Sequence, residues 1–131
     1  LIIGDLHIPT KTHDLPAQFK ELLVGAGNAG AREADSRDLT GNIGNNDTFK
    51  LLKDLSENYE MVLGDCDKVA EVDQSYEIPL KKKIDINGIK IGIIHGHQVA
   101  TSQVDLSRDD ADSLKSWQRE IECDLLIHGH T

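Results

Sequence analysis

The sequence predicts an α/β fold with a polar crevice at the ends of its strands. Three observations predict it. Short apolar runs of strand length alternate with segments whose apolar residues recur at helical spacing. An Asn-Gly pair, Asn87-Gly88, sits between Ile84-Asp85-Ile86 and Ile89-Lys90-Ile91, a strong signal for a two-residue hairpin. Every strand-like run except the first hairpin arm ends in a Gly flanked by Asp, Asn or His. In open α/β sheets, binding sites form beyond the carboxyl ends of the strands.

Taken in order, Leu1-Ile2-Ile3 reads as a strand that enters GDLHIP at 4–9. Asp14 offers an N-cap and Pro16 a first-turn residue to a helix over residues 14–24, with Phe19, Leu22 and Leu23 on one face. Residues 25–38, GAGNAGAREADSRD, contain no β-branched residue and read as a flexible surface segment. Order is expected again at Leu39-Thr40-Gly41-Asn42. A second helix starts at Asp47 or Thr48, with Phe49, Leu51, Leu52 and Leu55 as its apolar stripe. Glu60-Met61-Val62-Leu63 is a strand ending at Gly64-Asp65-Cys66-Asp67. The second hairpin arm, Ile89–Ile94, ends at His95-Gly96-His97. A helix from Asp110 to about Glu122 carries Leu114, Trp117 and Ile121 on one face, which makes Trp117 a packing residue. Asp124-Leu125-Leu126-Ile127 is the last strand and ends at His128-Gly129-His130-Thr131.

Length and composition bound the function. A chain of 131 residues suits one domain, 1–131. No apolar run approaches the roughly 20 residues that span a bilayer, and no signal peptide opens the chain. The chain opens without an initiator Met, so a true N-terminus upstream is an expectation. A net charge of −9 argues against non-specific nucleic-acid binding, which needs Lys and Arg to displace counterions. Cys66 and Cys123 form no CxxC pair, so a reducing compartment is expected. Lys81-Lys82-Lys83 reads as a solvated strand.

The chemistry lies at the strand ends: Asp5, His7, Asn42, Asp65, His95, His97, His128 and His130. Singly, an Asp after Gly is usually a turn residue or cap. Jointly, a carboxylate and imidazole set suits Mn, Fe or Zn better than Ca or Mg. Two such ions can clamp a phosphate ester.

The order Asp5-x-His7, Gly41-Asn42, Gly64-Asp65-Cys66-Asp67, His95-Gly96 and Gly129-His130-Thr131 resembles the calcineurin-like metallophosphoesterases. Within them, GDLHIP at 4–9, LPAQFKELL at 15–23, TGN at 40–42, IGIIHGHQV at 91–99 and GHT at 129–131 are similar to the family of retromer small subunits. Retromer is the endosomal cargo-retrieval coat. The resemblance implies a two-sheet sandwich flanked by helices, here C-terminally incomplete, because the family continues past Gly-His-Thr-His. It implies one metal held by Asp5, His7 and His130. It implies another held by Asp65 and His95, with Asn42 bridging; His97 and His128 match no ligand. The cofactor implied is Mn or Zn at weak or partial occupancy.

Two departures from active members stand out. Asn42 stands where active members carry Asp, and Asp65 where they carry Asn, so the carboxylate count is kept but the bridging carboxylate that offsets repulsion between two dications is not. Cys66 stands where many enzymes carry a His for the leaving group, and it is the one catalytic candidate if the chain is active. Both favour a scaffold docked on retromer's large helical-solenoid subunit, through a loop that includes Val99 and Ala100. That places the protein in the cytoplasm, recruited to endosomes through the complex. The alternatives are a metal-dependent phosphodiesterase or phosphatase and a stand-alone metal-binding module.

Overall fold

The computed structural model describes residues 2–21, 37–54, 59–67, 78–99 and 108–130. They form two three-stranded sheets with helices against their faces. The first sheet is parallel, in the order β1 (Ile2–Ile3), β2 (Arg37–Leu39), β3 (Tyr59–Met61). The second joins β4 (Lys81–Ile86) and β5 (Ile89–Ile94) as an antiparallel hairpin, and β6 (Leu125–Ile127) lies parallel to β5. The expected α/β two-sheet arrangement is therefore observed.

In the first sheet the register aligns Ile3, Leu39 and Met61 in one row, at 6%, 1% and 1% exposure. That row packs against Phe49 and Leu52 of α1 (Asn46–Asp54), and Ile8, Leu15, Ile43 and Ile78 complete the core. Helix α1 begins earlier than the apolar stripe predicts. Asn45 caps it: its side chain accepts the Thr48 N–H at 2.8 Å and its carbonyl the Phe49 N–H at 3.1 Å.

The first helix also differs from expectation. Residues 17–21 are helical, and Pro16 supplies the first accepting carbonyl, to Lys20 at 3.0 Å. Asp14 therefore lies two residues ahead of the cap position, where its carboxylate takes the Leu15 N–H instead. Leu22, Leu23 and residue 24, the last part of that expected helix, lie outside the described residues, as does Leu55. So do residues 25–36 of the expected flexible segment. Arg37 and Asp38, its last two residues, instead form β2, where Asp38 is 5% exposed. Parallel pairing on both sides holds them extended despite their composition.

The hairpin turn is as the sequence predicts. Asn87 and Gly88 have φ of 55° and 85°, the two positive values a type I′ turn demands. Helix α2 (Arg108–Ile121) covers the second sheet with Leu114, Trp117 and Ile121, which meet Ile94, Val99 and Leu126. Trp117 is thus a packing residue. The three lysines of β4 are ion-paired rather than simply solvated: Lys81 with Glu120, Lys82 with Glu60 and Lys83 with Glu122. The Lys82–Glu60 pair ties the two sheets together. No helix among the described residues is long and apolar enough to cross a membrane.

Candidate metal centre

Five strand ends converge at the junction of the two sheets. Asp5 and His7 follow β1, Asn42 follows β2, Asp65 and Asp67 follow β3, His95 and His97 follow β5, and His130 follows β6. Of the six non-glycine residues at positive φ among the described residues, four are candidate ligands: Asp5 (56°), His7 (49°), Asn42 (53°) and His130 (58°). The left-handed region costs an L-residue roughly 1–2 kcal/mol, and Asn, Asp and His tolerate it best. Such strain clusters where a side chain must be turned into a site.

Backbone links hold the loops together. Asp5 N–H donates to the Gly41 carbonyl at 3.0 Å, His7 N–H to Asn42 at 2.8 Å and Gly129 N–H to His95 at 2.7 Å. Asp67 was not singled out from the sequence, yet it organises the loop. Its carboxylate, 7% exposed, accepts the backbone N–H groups of Asn42 (2.7 Å), Gly64 (3.0 Å) and Gly44 (3.3 Å). The signal was an Asp three residues after Gly in a turn, an arrangement that bonds its own backbone. Gly64 must be glycine here: a Cβ would lie 2.2 Å from Asn42 Oδ1.

His95 is fully buried and sits at the centre. Its Nδ1–H donates to the Thr40 carbonyl at 2.7 Å, because a carbonyl only accepts. In the neutral ring Nε2 then carries a lone pair. That nitrogen lies 3.2 Å from Asp65 Oδ1, 3.2 Å from His130 Nδ1 and 3.9 Å from Asp5 Oδ1. His130 is fixed in turn by its backbone N–H, which donates to Asp5 Oδ2 at 2.7 Å.

Asn42 occupies the middle of this set. Its amide nitrogen donates to Asp65 Oδ1 and to His95 Nε2, both at 2.9 Å, while its oxygen accepts the Cys66 N–H at 2.9 Å. The partners decide the orientation: a backbone N–H needs the oxygen, and a carboxylate needs the NH₂. Asn42 therefore turns a donor, not a ligand atom, towards the cluster. The hydrogen bond from Asn42, followed by the nearby His130 and His95, holds the Asp65 carboxyl below the usual range.

Donors on one tetrahedral ion, each at about 2.0–2.2 Å from it, lie roughly 3–4 Å apart. Among the described residues two groups have ligand atoms within 4.8 Å of one another: Asp5 with His95 and His130, and Asp65 with His95 and His97. Carboxylate oxygens and imidazole nitrogens gathered this closely fit a divalent cation, although the Asn42 NH₂ donates to two of them here. The geometry divides the residues differently from the resemblance. His130 clusters with His95 as well as Asp5, whereas His7 touches the set only through Asp5, at 3.7 Å. His97, unmatched in the sequence, is drawn in. His128 is not in either group; its Nδ1 faces the Gly129 carbonyl at 3.1 Å.

Burial pushes the His97 pKa down, with the neighbouring His95 adding to it, so His97 is neutral at pH 7. Cys66 is exposed, but desolvation of its sulfur and then the Asp65 carboxylate raise its thiol above the ordinary value. A cleft of about 210 Å³ opens beside the donors, bounded by His7, Pro9, Thr10, Asn45 and Cys66. Val99, expected at a partner contact, is instead buried at 6% exposure against Ile94 and Ile121. Ala100 lies outside the described residues.

A family model of the calcineurin-like phosphoesterase superfamily domain matches residues 1–131. The chain belongs to that superfamily. Vacuolar protein sorting-associated protein 29 of Schizosaccharomyces pombe is 28% identical over all 131 residues of this phosphoesterase-fold chain, which span 60% of that protein. Vacuolar Protein Sorting 29 from Cryptosporidium parvum superposes with a TM-score of 0.76 at 31% identity, covering 99% of this chain and 63% of that one. Wild-type Vps29 of Entamoeba histolytica, solved with Zn²⁺, matches at a TM-score of 0.71 and 29% identity, over 98% of this chain and 62% of that one. The chain thus spans under two thirds of the length of these relatives.

Proposed function

We propose that this chain acts as a non-catalytic or weakly catalytic scaffold subunit of retromer in endosome-to-Golgi transport, keeping a degenerate divalent-metal site. The similarity to Vps29 proteins supports the retromer part. The orientation of Asn42 carries the scaffold part. Divalent ions in such a site supply Lewis acidity towards a phosphate ester, and they need an acceptor between them. Asn42 offers an NH₂ there. To ligate through oxygen, the amide must flip and abandon Cys66 N–H, Asp65 and His95 together.

The remaining residues still fit a cation, Mn or Zn: Asp5, Asp65, His95 and His130, with His7 alongside. They would hold it and shape the crevice, while His95 is kept in its ligating tautomer by Thr40. Cys66, whose thiol stays protonated at neutral pH, is a weak donor and a poor replacement for a His at a leaving group. On this reading the protein is cytoplasmic and reaches endosomes through the retromer's large helical-solenoid subunit.

The cleft beside His7 and Cys66 favours a second reading, a Mn- or Zn-dependent phosphodiesterase or phosphatase, since it leaves room for a small ester. Gel filtration of the full-length protein with the solenoid subunit separates the two. A stable complex that survives Asp65→Ala, with no Mn-dependent hydrolysis of an aryl phosphodiester, supports the scaffold. Turnover abolished by Asp5→Ala, with no complex, overturns it.

A further inference from the structure

His97 is placed by a turn that works against the strand. Along an extended chain His95 and His97 would be separated by a residue facing the other way, and both would continue up the sheet. Here β5 stops at Ile94 and Gly96 takes φ of 116°. A Cβ at Gly96 would meet the Gly129 carbonyl oxygen at 2.5 Å, so no other residue permits this bend. The turn is closed by Val99 N–H to the Gly96 carbonyl at 2.9 Å. Gln98 pins it from both ends, accepting Gly96 N–H at 3.0 Å and donating to the Leu80 carbonyl at 3.2 Å. The outcome is two imidazoles with centroids 5.3 Å apart, and a third, His130, 6.3 Å from His97.

The ring so placed carries an unsatisfied polar atom: Nδ1 of His97 is buried without a hydrogen-bond partner among the described residues. A buried polar atom left unpaired is costly and calls for a partner from outside the protein. The same ring forms, with Asp65 and His95, one of the two donor groups close enough to share an ion. We propose that His97 is a protein ligand of a second cation site, with Asp65 and His95, replacing the acceptor that Asn42 withholds. The N₂O donor set selects a borderline ion such as Zn²⁺ over Mg²⁺ or Ca²⁺. The inference rests on the divalent-metal reading above and adds a residue to it.

The test is titration of the ¹⁵N-histidine-labelled full-length protein with ¹¹³Cd²⁺, read by nuclear magnetic resonance, together with calorimetric titration of Zn²⁺. The expected result is ¹¹³Cd–¹⁵N coupling to the His97 ring as well as to His95. His97→Ala and His97→Gln then remove that coupling and weaken Zn²⁺ binding at least ~10-fold, an effect of a size even outer-shell changes reach. His13→Gln, on an exposed residue, leaves both unchanged, and amide spectra of the His97 variants report the native fold. Coupling to His95 and His130 but none to His97, with Zn²⁺ affinity of the variants within twofold, overturns this inference alone. A protein that takes up neither ion overturns it together with the metal reading.

Discussion

At the scale of single residues, the crevice is governed by side chains that face the backbone as much as by those that face each other. Asp67 accepts three backbone N–H groups from Asn42, Gly44 and Gly64, which between them set where Asn42 and Asp65 point. Hydrogen bonds to a charged acceptor contribute about 1.5–3 kcal/mol each, and orphaned buried donors add their own cost. Asp67→Ala is therefore expected to lose about 3 kcal/mol or more in urea unfolding, and Asp67→Asn less. Cys66 gives a second prediction. Desolvation and the neighbouring Asp65 carboxylate raise its pKa, so the thiolate fraction is small at pH 7.5 in spite of exposure. Iodoacetamide should modify Cys66 more slowly than a free cysteine at that pH, with the rate climbing only in more alkaline buffer. Asp65→Asn should speed it.

At the scale of elements, β2 holds a charge in an interior position. Asp38 lies beside Glu60 in the parallel register, is 5% exposed and leaves Oδ1 without a partner among the described residues. Burial, with Glu60 adding repulsion, raises its pKa above the ordinary 3.8. The folded state therefore binds the Asp38 proton more tightly than the unfolded chain does. Its contribution to stability is complete below the unfolded pKa and is lost as pH rises through the folded value. Asp38→Asn should flatten that decline and stabilise the protein at pH 7 by about 1–2 kcal/mol, measured by denaturant unfolding at several pH values. The same strand shows what the sequence withheld. The hairpin, the α2 stripe and the strand ends were legible because turn chemistry and periodicity are local. Arg37 and Asp38 carry no local strand signal, and only pairing with Ile2 and Glu60 makes them one. Asn45 was missed as a cap because the apolar stripe of α1 begins after it. That Asp, Asn and His side chains end the strands was legible too, but their grouping was not: whether His130 lies with His7 or His95, and whether His97 turns inward, depends on loops such as the Gly96 bend.

At the scale of the whole molecule, the site draws from both sheets. Asp5, His7, Asn42 and Asp65 come from the first, and His95, His97 and His130 from the second. An ion shared by these groups staples the sandwich, so Zn²⁺ should raise the thermal midpoint and a chelator should lower it. On the scaffold reading proposed above, which needs that staple less than an enzyme does, a complex with the solenoid subunit is expected to persist after chelation. The central claim is that Asn42 demotes the site, and calorimetric Zn²⁺ titration of the full-length protein beside Asn42→Asp tests it most directly. The account predicts weak uptake by the unmodified protein and at least ~10-fold tighter binding by Asn42→Asp, since a carboxylate replaces an inward-facing NH₂. Tight binding of two ions by the unmodified protein, unchanged in Asn42→Asp, would contradict it.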